Sequence, residues 1–112
     1  MIKYPKYVIK RSINMQYFWV LHSVNGEALI KSEMYTTKAA CNNGIASSKI
    51  SVTDSNFQRK TASNGFQYFF NQIANNYQVL GTSEMYNSRQ AMENGISAVK
   101  RDAPVAGVED LT

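Results

Sequence analysis

The sequence predicts an α+β domain made of two tandem β3-α(-β) repeats, with antiparallel sheets and one helix per repeat. Two observations support this prediction. A set of residues recurs 51 positions later in the chain, and each copy has strand-like runs followed by helix-like apolar spacing. We interpret the 112 residues as one domain, with repeat one at about 1–54 and repeat two at about 55–112. Two copies, instead of a longer array, predict halves related by a pseudo-twofold axis.

The recurrence keeps one offset without a gap over thirty-odd positions. Chance does not produce a match of that length, so we interpret it as a duplication. The matching segments are Gln16–Phe18 with Gln67–Phe69, Ser32–Tyr35 with Ser83–Tyr86, and Asn43–Ile45 with Asn94–Ile96.

Three strands are predicted in each copy, from runs of β-branched and aromatic residues bounded by polar turns. The predicted strands are Tyr7–Lys10, Tyr17–Leu21 and Ala28–Lys31 in copy one, and Phe57–Lys60, Phe66–Ile73 and Gln78–Thr82 in copy two. Asn25-Gly26 is a hairpin signal, because both residue types tolerate positive φ. Copy two has Asn75-Asn76 there and lacks the glycine.

A helix is predicted after the third strand of each copy. Thr36 or Thr37, and Asn87 or Ser88, are N-cap residue types. Spacings of four and three then place an apolar stripe on one helix face. The stripe is Cys41, Ile45 and Ser48 in copy one and Met92, Ile96 and Val99 in copy two.

Asn-Gly interrupts both predicted helices, yet the apolar spacing continues, so we expect the helices to run through it. A glycine inside a helix costs roughly 1 kcal/mol relative to alanine. Its presence in both copies predicts a packing gain from close approach of the helix backbone to the sheet. Pro104 ends the second helix, and the tail 105–111 is interpreted as a short final strand.

The aromatic second strands assign residues to two faces, because neighbours in a strand point in opposite directions. The expected core is Tyr17, Trp19, Leu21, Leu29, Ile45, Tyr68, Phe70, Leu80, Met92, Ile96 and Val99. The opposite face is expected to carry Phe18, Val20, His22, Phe69, Asn71 and Ile73. If an exchanged terminal strand or a partner covers that face, Phe18 and Phe69 are core residues, which is the simpler interpretation. If nothing covers it, they are available for stacking on bases or for burial against a protein.

Charge is uneven along the chain. Residues 1–60 hold nine Lys or Arg against three Asp or Glu, and residues 61–112 hold three against five. Lys3, Lys6, Lys10 and Arg11 cluster without an acid among them, a pattern that can attract phosphates or serve as an ordinary solvated surface.

No catalytic or metal constellation can be assembled from these residues, so we predict a protein that is not an enzyme and has no cofactor. His22 is the only histidine and lacks the partners of a triad or zinc site. Cys41 is the only cysteine, which excludes an internal disulfide and suggests a reducing, cytoplasmic location. No run is apolar enough for a signal peptide or a membrane helix, so no membrane association is predicted.

The duplicated Ser-Glu-Met-Tyr and Asn-Gly-Ile motifs, with the closing Val108–Thr112, resemble the YegP-like family of small bacterial proteins. The resemblance implies a tandem pair of β3-α-β units that exchange terminal strands. It also implies a fold similar to the sheet-type DNA-binding domain of a transposon integrase, and no established activity. The second strands are less basic on their outer face than is usual in that family.

We therefore predict a protein-interaction or self-association module, with a protein partner or a homodimer. The alternative is a nucleic-acid-binding protein that uses the sheet face and the basic N-terminal half. The predicted binding surface is Phe18, Val20, Phe69, Ile73, Lys3, Lys6, Lys10, Arg11 and Lys31.

Overall fold

The computed structural model describes residues 2–112, whose elements follow the order β-β-β-α-β-β-β-α-β. The strands are β1 (Lys6–Arg11), β2 (Tyr17–His22), β3 (Ala28–Ser32), β4 (Phe57–Thr61), β5 (Tyr68–Ile73), β6 (Val79–Ser83) and β7 (Gly107–Asp110). The helices are α1 (Lys38–Ile50) and α2 (Arg89–Asp102). This order confirms the predicted succession of three strands and a helix in each half, followed by a short final strand.

All seven strands join one sheet in the order β4-β5-β6-β3-β2-β1-β7. Neighbouring strands are antiparallel, except that β7 runs parallel to β1. The prediction of antiparallel sheets was wrong in part, since the structure has a single sheet in which β7 pairs in parallel with β1. The halves merge because β3 and β6 hydrogen-bond to each other instead of remaining unpaired edges.

The β3–β6 pairing has a symmetrical register. Lys31 lies opposite Thr82, its counterpart 51 positions later. On either side of this pair, Ile30 faces Ser83 and Ser32 faces Gly81. Equivalent segments of the two halves therefore meet at the middle of the sheet.

The helices begin where the sequence predicts. Thr37 and Ser88 are the N-caps, and their side-chain oxygens accept hydrogen bonds from the backbone N–H groups of Ala40 and Ala91. Both helices continue through Asn-Gly. A Cβ on Gly44 would lie 2.6 Å from Cζ of Tyr35. The glycine therefore makes room for the Tyr35 ring, which packs closely against the helix backbone.

One hydrophobic core lies between the helices and the sheet. Every residue of the expected core is buried except Tyr17 and Tyr68, which are half-buried and pack against it. The core also contains Tyr7, Ile9, Ile30, Cys41, Phe57, Ala103 and Ala106. Tyr7 packs edge-on against Trp19, with ring centroids 5.1 Å apart.

A buried polar network crosses between the halves. The Gln72 amide donates to the carbonyl oxygens of Ser48 and Ser51 at 3.0 and 2.8 Å. Its carbonyl oxygen accepts a 2.7 Å hydrogen bond from the Ser48 hydroxyl, which also bonds the Tyr7 hydroxyl at 2.8 Å. Burial raises the pKa of Tyr7 well above its ordinary value, so its hydroxyl stays neutral.

Two turns differ from the prediction. Phe66 is exposed and lies outside β5, because the preceding Gly65 adopts a positive φ of 76° and closes a turn. In the hairpin where copy one has Gly26 at φ 89°, copy two places Tyr77 at φ 69°. Tyr77 therefore adopts a left-handed conformation that is unfavourable for a side chain with a Cβ.

Candidate functional site

In the first half of the sheet, the face opposite the helices carries lysines beside aromatic and aliphatic side chains. On this face Phe18 lies opposite Lys10 of β1, and Val20 lies between Val8 of β1 and Lys31 of β3. The Lys31 ammonium sits 5.0 Å from the centroid of the Phe18 ring. Within residues 2–112 no helix or strand covers this face. The side-chain alternation expected from the sequence is therefore confirmed here.

The second half repeats the pattern. Lys60 of β4 lies opposite Phe69 of β5, as Lys10 lies opposite Phe18. The Thr82 hydroxyl donates to the side-chain oxygen of neighbouring Asn71 at 2.9 Å. Each half thus places one lysine beside one half-buried phenylalanine on the open face.

A depression of about 410 Å³ lies at the middle of the sheet, where β3 pairs with β6. It is lined by Lys31, Ser32, Glu33, Met34, Thr82, Ser83 and Glu84. Glu33 and Glu84 are both exposed, so carboxylates border the lysine at the centre. The negative charge of Glu33 and Glu84 therefore offsets part of the positive charge of Lys31.

Lys10 and Lys31 are exposed, and neither forms an ion pair within the described residues. Lys3 is exposed too, but it lies in the segment before β1 and not in the sheet. Phe18, Val20 and Phe69 are half-buried. The structure therefore brings Lys10, Phe18, Val20 and Lys31 together, with Phe69 in the other half.

Three other predicted surface residues need correction. Lys6 is only 5% exposed, because Glu109, the Ile2 carbonyl and the Tyr4 ring surround its ammonium. Ile73 is 5% exposed and offers little apolar surface. Arg11 lies opposite Tyr17 on the helix-bearing face, and its guanidinium sits 5.2 Å from that ring.

Sequence reasoning missed Lys60 as a member of this surface. The sequence contained a signal for Lys60, because it stands 50 positions after Lys10 and both lysines lie in the first predicted strand of their repeat. The duplication has an offset of 51 in the second and third strands, whereas the first strands are related by 50. A search at a single offset therefore does not pair the two lysines.

Cys41 and His22, the remaining reactive side chains, are each accounted for by the packing and bonding around them. Cys41 is fully buried. Its burial, and to a smaller extent the negative charge of Asp110, raise the pKa of its thiol to about 11. His22 Nδ1 lies 3.0 Å from the Gly26 carbonyl oxygen. Residues 2–112 contain no group of three or more His, Cys, Asp or Glu side chains arranged to hold a metal ion. In the same range, no helix is both long and apolar enough to cross a bilayer.

Comparison with known proteins identifies the family. The profile described as a domain of unknown function (DUF1508) matches residues 13–55 and 62–110. The chain belongs to the DUF1508 family. The chain is also similar to a UPF0339 protein of Bordetella pertussis, which is 43% identical over 107 residues that cover 95% of this chain and 96% of the relative. The UPF0339 protein YegP of Escherichia coli O157:H7 is 40% identical over 105 residues, covering 93% and 94%.

Two solved structures have the same α+β fold as this chain. The solution NMR structure of yegP from E. coli, a protein of unknown function, matches with a TM-score of 0.91 at 36% identity. That match covers 100% of this chain and 97% of the other. A UPF0339 protein of Shewanella oneidensis matches with a TM-score of 0.89 over 96% and 91% of the two chains. The resemblance to YegP-like proteins is confirmed, and the descriptions of these relatives name no activity.

Acid is expected to weaken the attachment of β7. Lys6 lowers the pKa of Glu109, and bonds from Thr112 and then Lys38 lower the pKa of Asp110 to about 2. A depressed folded-state pKa adds stability above the ordinary values of 4.5 and 3.8, and that stability is lost as the pH falls towards the folded-state values. Melting temperatures measured between neutral pH and pH about 2.5 should therefore fall less steeply for Glu109→Gln/Asp110→Asn than for the wild type.

Glu84→Gln is the control for the acid measurement, because exposed Glu84 has no ion pair within the described range. This variant should keep the wild-type acid dependence. Equal slopes for the β7 double variant and the wild type would contradict the proposed contribution of these carboxylates.

Proposed function

We propose that this protein is a non-catalytic binding module that holds single-stranded nucleic acid on its open sheet face. The observation that carries the proposal is the repeated lysine–phenylalanine pair, Lys10 with Phe18 and Lys60 with Phe69. Both pairs lie on a face that no helix or strand of residues 2–112 covers. Single-strand binders combine cations that follow the backbone with aromatic rings on which bases stack.

The chemistry of the accessible atoms favours a polyanion over an apolar partner. Val8 and Ile73 are each only 5% exposed, so most of the aliphatic surface of this face is already buried. Lys10, Lys31 and Lys60 are exposed and have no ion pair in the described part of the chain. Neutralising phosphates with such lysines releases counterions, which drives nucleic-acid binding at low salt.

We also infer that the halves are tandem repeats with an exchanged terminal strand. β7 follows the helix of the second half but pairs with β1 of the first. This arrangement would lock the two lysine–phenylalanine pairs onto one rigid platform. A cytoplasmic location is part of the proposal, because nucleic acid is available there and Cys41 is a free thiol.

The test is a titration of isotopically labelled protein with single-stranded oligonucleotides of about 12 nucleotides at two salt concentrations. We expect NMR shifts at Phe18, Lys31 and Phe69. The logarithm of the affinity should fall with the logarithm of salt, by about 0.7 per phosphate contacted. Phe18→Ala with Phe69→Ala should weaken binding at least tenfold, because base–aromatic stacking contributes about 1–3 kcal/mol per base.

Lys10→Gln with Lys60→Gln should reduce the salt slope while leaving the fold intact, since both side chains are exposed. Lys49→Gln on α1 is the matched control and should leave binding unchanged. Absence of binding at low salt, or shifts confined to the helices, would reject the proposal.

A second candidate is docking of a protein partner or a second copy on the same face. Half-buried Val20 beside Phe18 favours it, because together they leave some apolar surface uncovered. Sedimentation of the protein alone distinguishes the candidates. A dimer that Phe18→Ala disperses supports self-association, whereas a monomer that binds oligonucleotides supports the nucleic-acid proposal.

A further inference from the structure

The β1 edge of the sheet shows which kind of segment can add to it as an outer strand. β7 adds to β1 in parallel, with Val108 opposite buried Tyr7. Two ion pairs flank the strand: Lys6 Nζ lies 2.6 Å from Oε1 of Glu109, and Lys38 Nζ lies 2.9 Å from Oδ2 of Asp110. The β1 edge therefore binds a short segment of apolar–acidic–acidic pattern.

The opposite edge has an equivalent first strand but lacks the outer strand, and Asn56, which donates to the Ile73 carbonyl oxygen, stands in the place of Lys6. β4 corresponds to β1 at an offset of 50, so buried Phe57 takes the place of buried Tyr7. Within residues 2–112, β4 is the last strand at its end of the sheet and pairs only with β5. Backbone groups on the outer side of an edge strand are available to another extended chain.

The charges beside this edge are suited to an acidic strand. Arg89 is the first residue of α2, as Lys38 is the first residue of α1. Lys38 already holds Asp110, whereas Arg89 forms no ion pair with the described residues and lies over the Tyr68 ring at 5.1 Å. An acid at the Asp110-equivalent position of an added strand would meet Arg89.

The β4 strand of a second copy is a poor occupant of this edge. Antiparallel β4–β4 pairing would place the consecutive cations Arg59 and Lys60 of both copies along one seam. Like charges on paired strands are destabilising. Arg59 is itself held by Glu93 and Asp54 on its own chain, which leaves Lys60 and Arg89 to attract negative charge.

We propose that the β4 edge binds an extended acidic segment of a partner protein as an eighth, parallel strand, with a carboxylate of the segment paired to Arg89. Strand addition of this kind uses main-chain hydrogen bonds for affinity and alternate side chains for specificity. The site shares Lys60 with the open sheet face but is defined by the outer edge of β4 and by Arg89, so it can be tested independently of nucleic-acid binding.

The test uses an N-acetylated peptide with the sequence of residues 106–112 as the probe, added to the isotopically labelled full chain. We expect saturable NMR shifts in β4 and at Arg89. Arg89→Glu should weaken peptide binding at least tenfold. This variant should fold, because Arg89 is exposed and an acid is favoured in the first turn of a helix. A peptide with its Glu and Asp replaced by Gln and Asn should also bind at least tenfold more weakly.

Lys49→Glu is the matched control and should bind the peptide as the wild type does, as should Phe18→Ala/Phe69→Ala. The latter variant separates this proposal from the nucleic-acid proposal. The inference is overturned by an absence of shifts at millimolar peptide, by equal affinity of Arg89→Glu and wild type, or by shifts restricted to β1. Shifts restricted to β1 would mean that the peptide merely replaces β7.

Discussion

Replacing Trp19 with Ala is expected to lower the free energy of unfolding by about 3–5 kcal/mol. Trp19 is fully buried, and its ring contacts Tyr7 edge-on beneath α1. Deleting the indole removes the largest side chain of the core and leaves a cavity that helix and sheet can close only in part. Urea unfolding followed by circular dichroism measures this loss without needing the tryptophan as a probe.

Trp19→Phe is expected to cost much less, about 1–2 kcal/mol. The second half has Phe70 at the equivalent position, where it packs 5.8 Å from Phe57. Val20→Ala, on the opposite face of β2, is the control and should cost less than Trp19→Ala. Near-wild-type unfolding of Trp19→Ala would contradict the central position of this ring.

Local features of the fold could be predicted from the sequence because they depend on neighbouring residues. Strand alternation placed Phe18 and Val20 on the face away from Trp19, and N-cap chemistry located the starts at Thr37 and Ser88. The duplication strengthened each such inference, because a feature that occurs twice is tested twice. Most of the expected core followed from the same periodicity, whereas Tyr7, Ile9 and Phe57 of the first strands were not included in it.

Long-range features could not be predicted because their determinants are far apart in the chain. The burial of Lys6 depends on Glu109, which is 103 residues away. The parallel pairing of β7 with β1, and the joining of β3 and β6 into one sheet, are choices among several that the pattern allows. Which face of β1 carries Arg11 depends on the alternation of side chains along that strand. A cluster of basic residues in the sequence does not reveal this.

The candidate surface was predicted in part for the same reason. Lys10, Lys31 and Phe18 share a face because each follows local alternation from a strand whose register is fixed by a hairpin. Lys60 joins them only through the pairing of β4 with β5. An uncovered face, and an uncovered β4 edge, are properties of the assembled sheet and have no sequence signature of their own.

Gly44→Ala is expected to destabilise the protein by about 1–3 kcal/mol, although alanine is the better helix former. The added Cβ would lie 2.6 Å from Cζ of Tyr35 and closer still to its hydroxyl oxygen. The ring cannot retreat easily, because Tyr35 pairs with Tyr17 through two backbone hydrogen bonds of 2.8 Å. The overlap should therefore outweigh the gain of roughly 1 kcal/mol in helix propensity.

A double-mutant cycle isolates the cause. In a Tyr35→Ala background the obstructing ring is absent, and Trp19 Nε1, at 3.1 Å from the new Cβ, is the remaining close neighbour. Gly44→Ala should then lose most of its cost or become slightly stabilising. Unfolding free energies of the four proteins give the coupling, and a Gly44→Ala penalty that is the same in both backgrounds would contradict the tyrosine–glycine contact.

The second half supplies an independent replicate of this contact. A Cβ on Gly95 would lie 2.7 Å from Cζ of Tyr86, so Gly95→Ala should be destabilising and Tyr86→Ala should relieve it. Ser97→Ala, at an exposed position of the same helix, is the control and should change stability by less than about 0.5 kcal/mol. Because each tyrosine joins the end of a strand to the helix that follows it, these contacts fix both helices over the sheet. That attachment keeps the helices on one face and leaves the other face open.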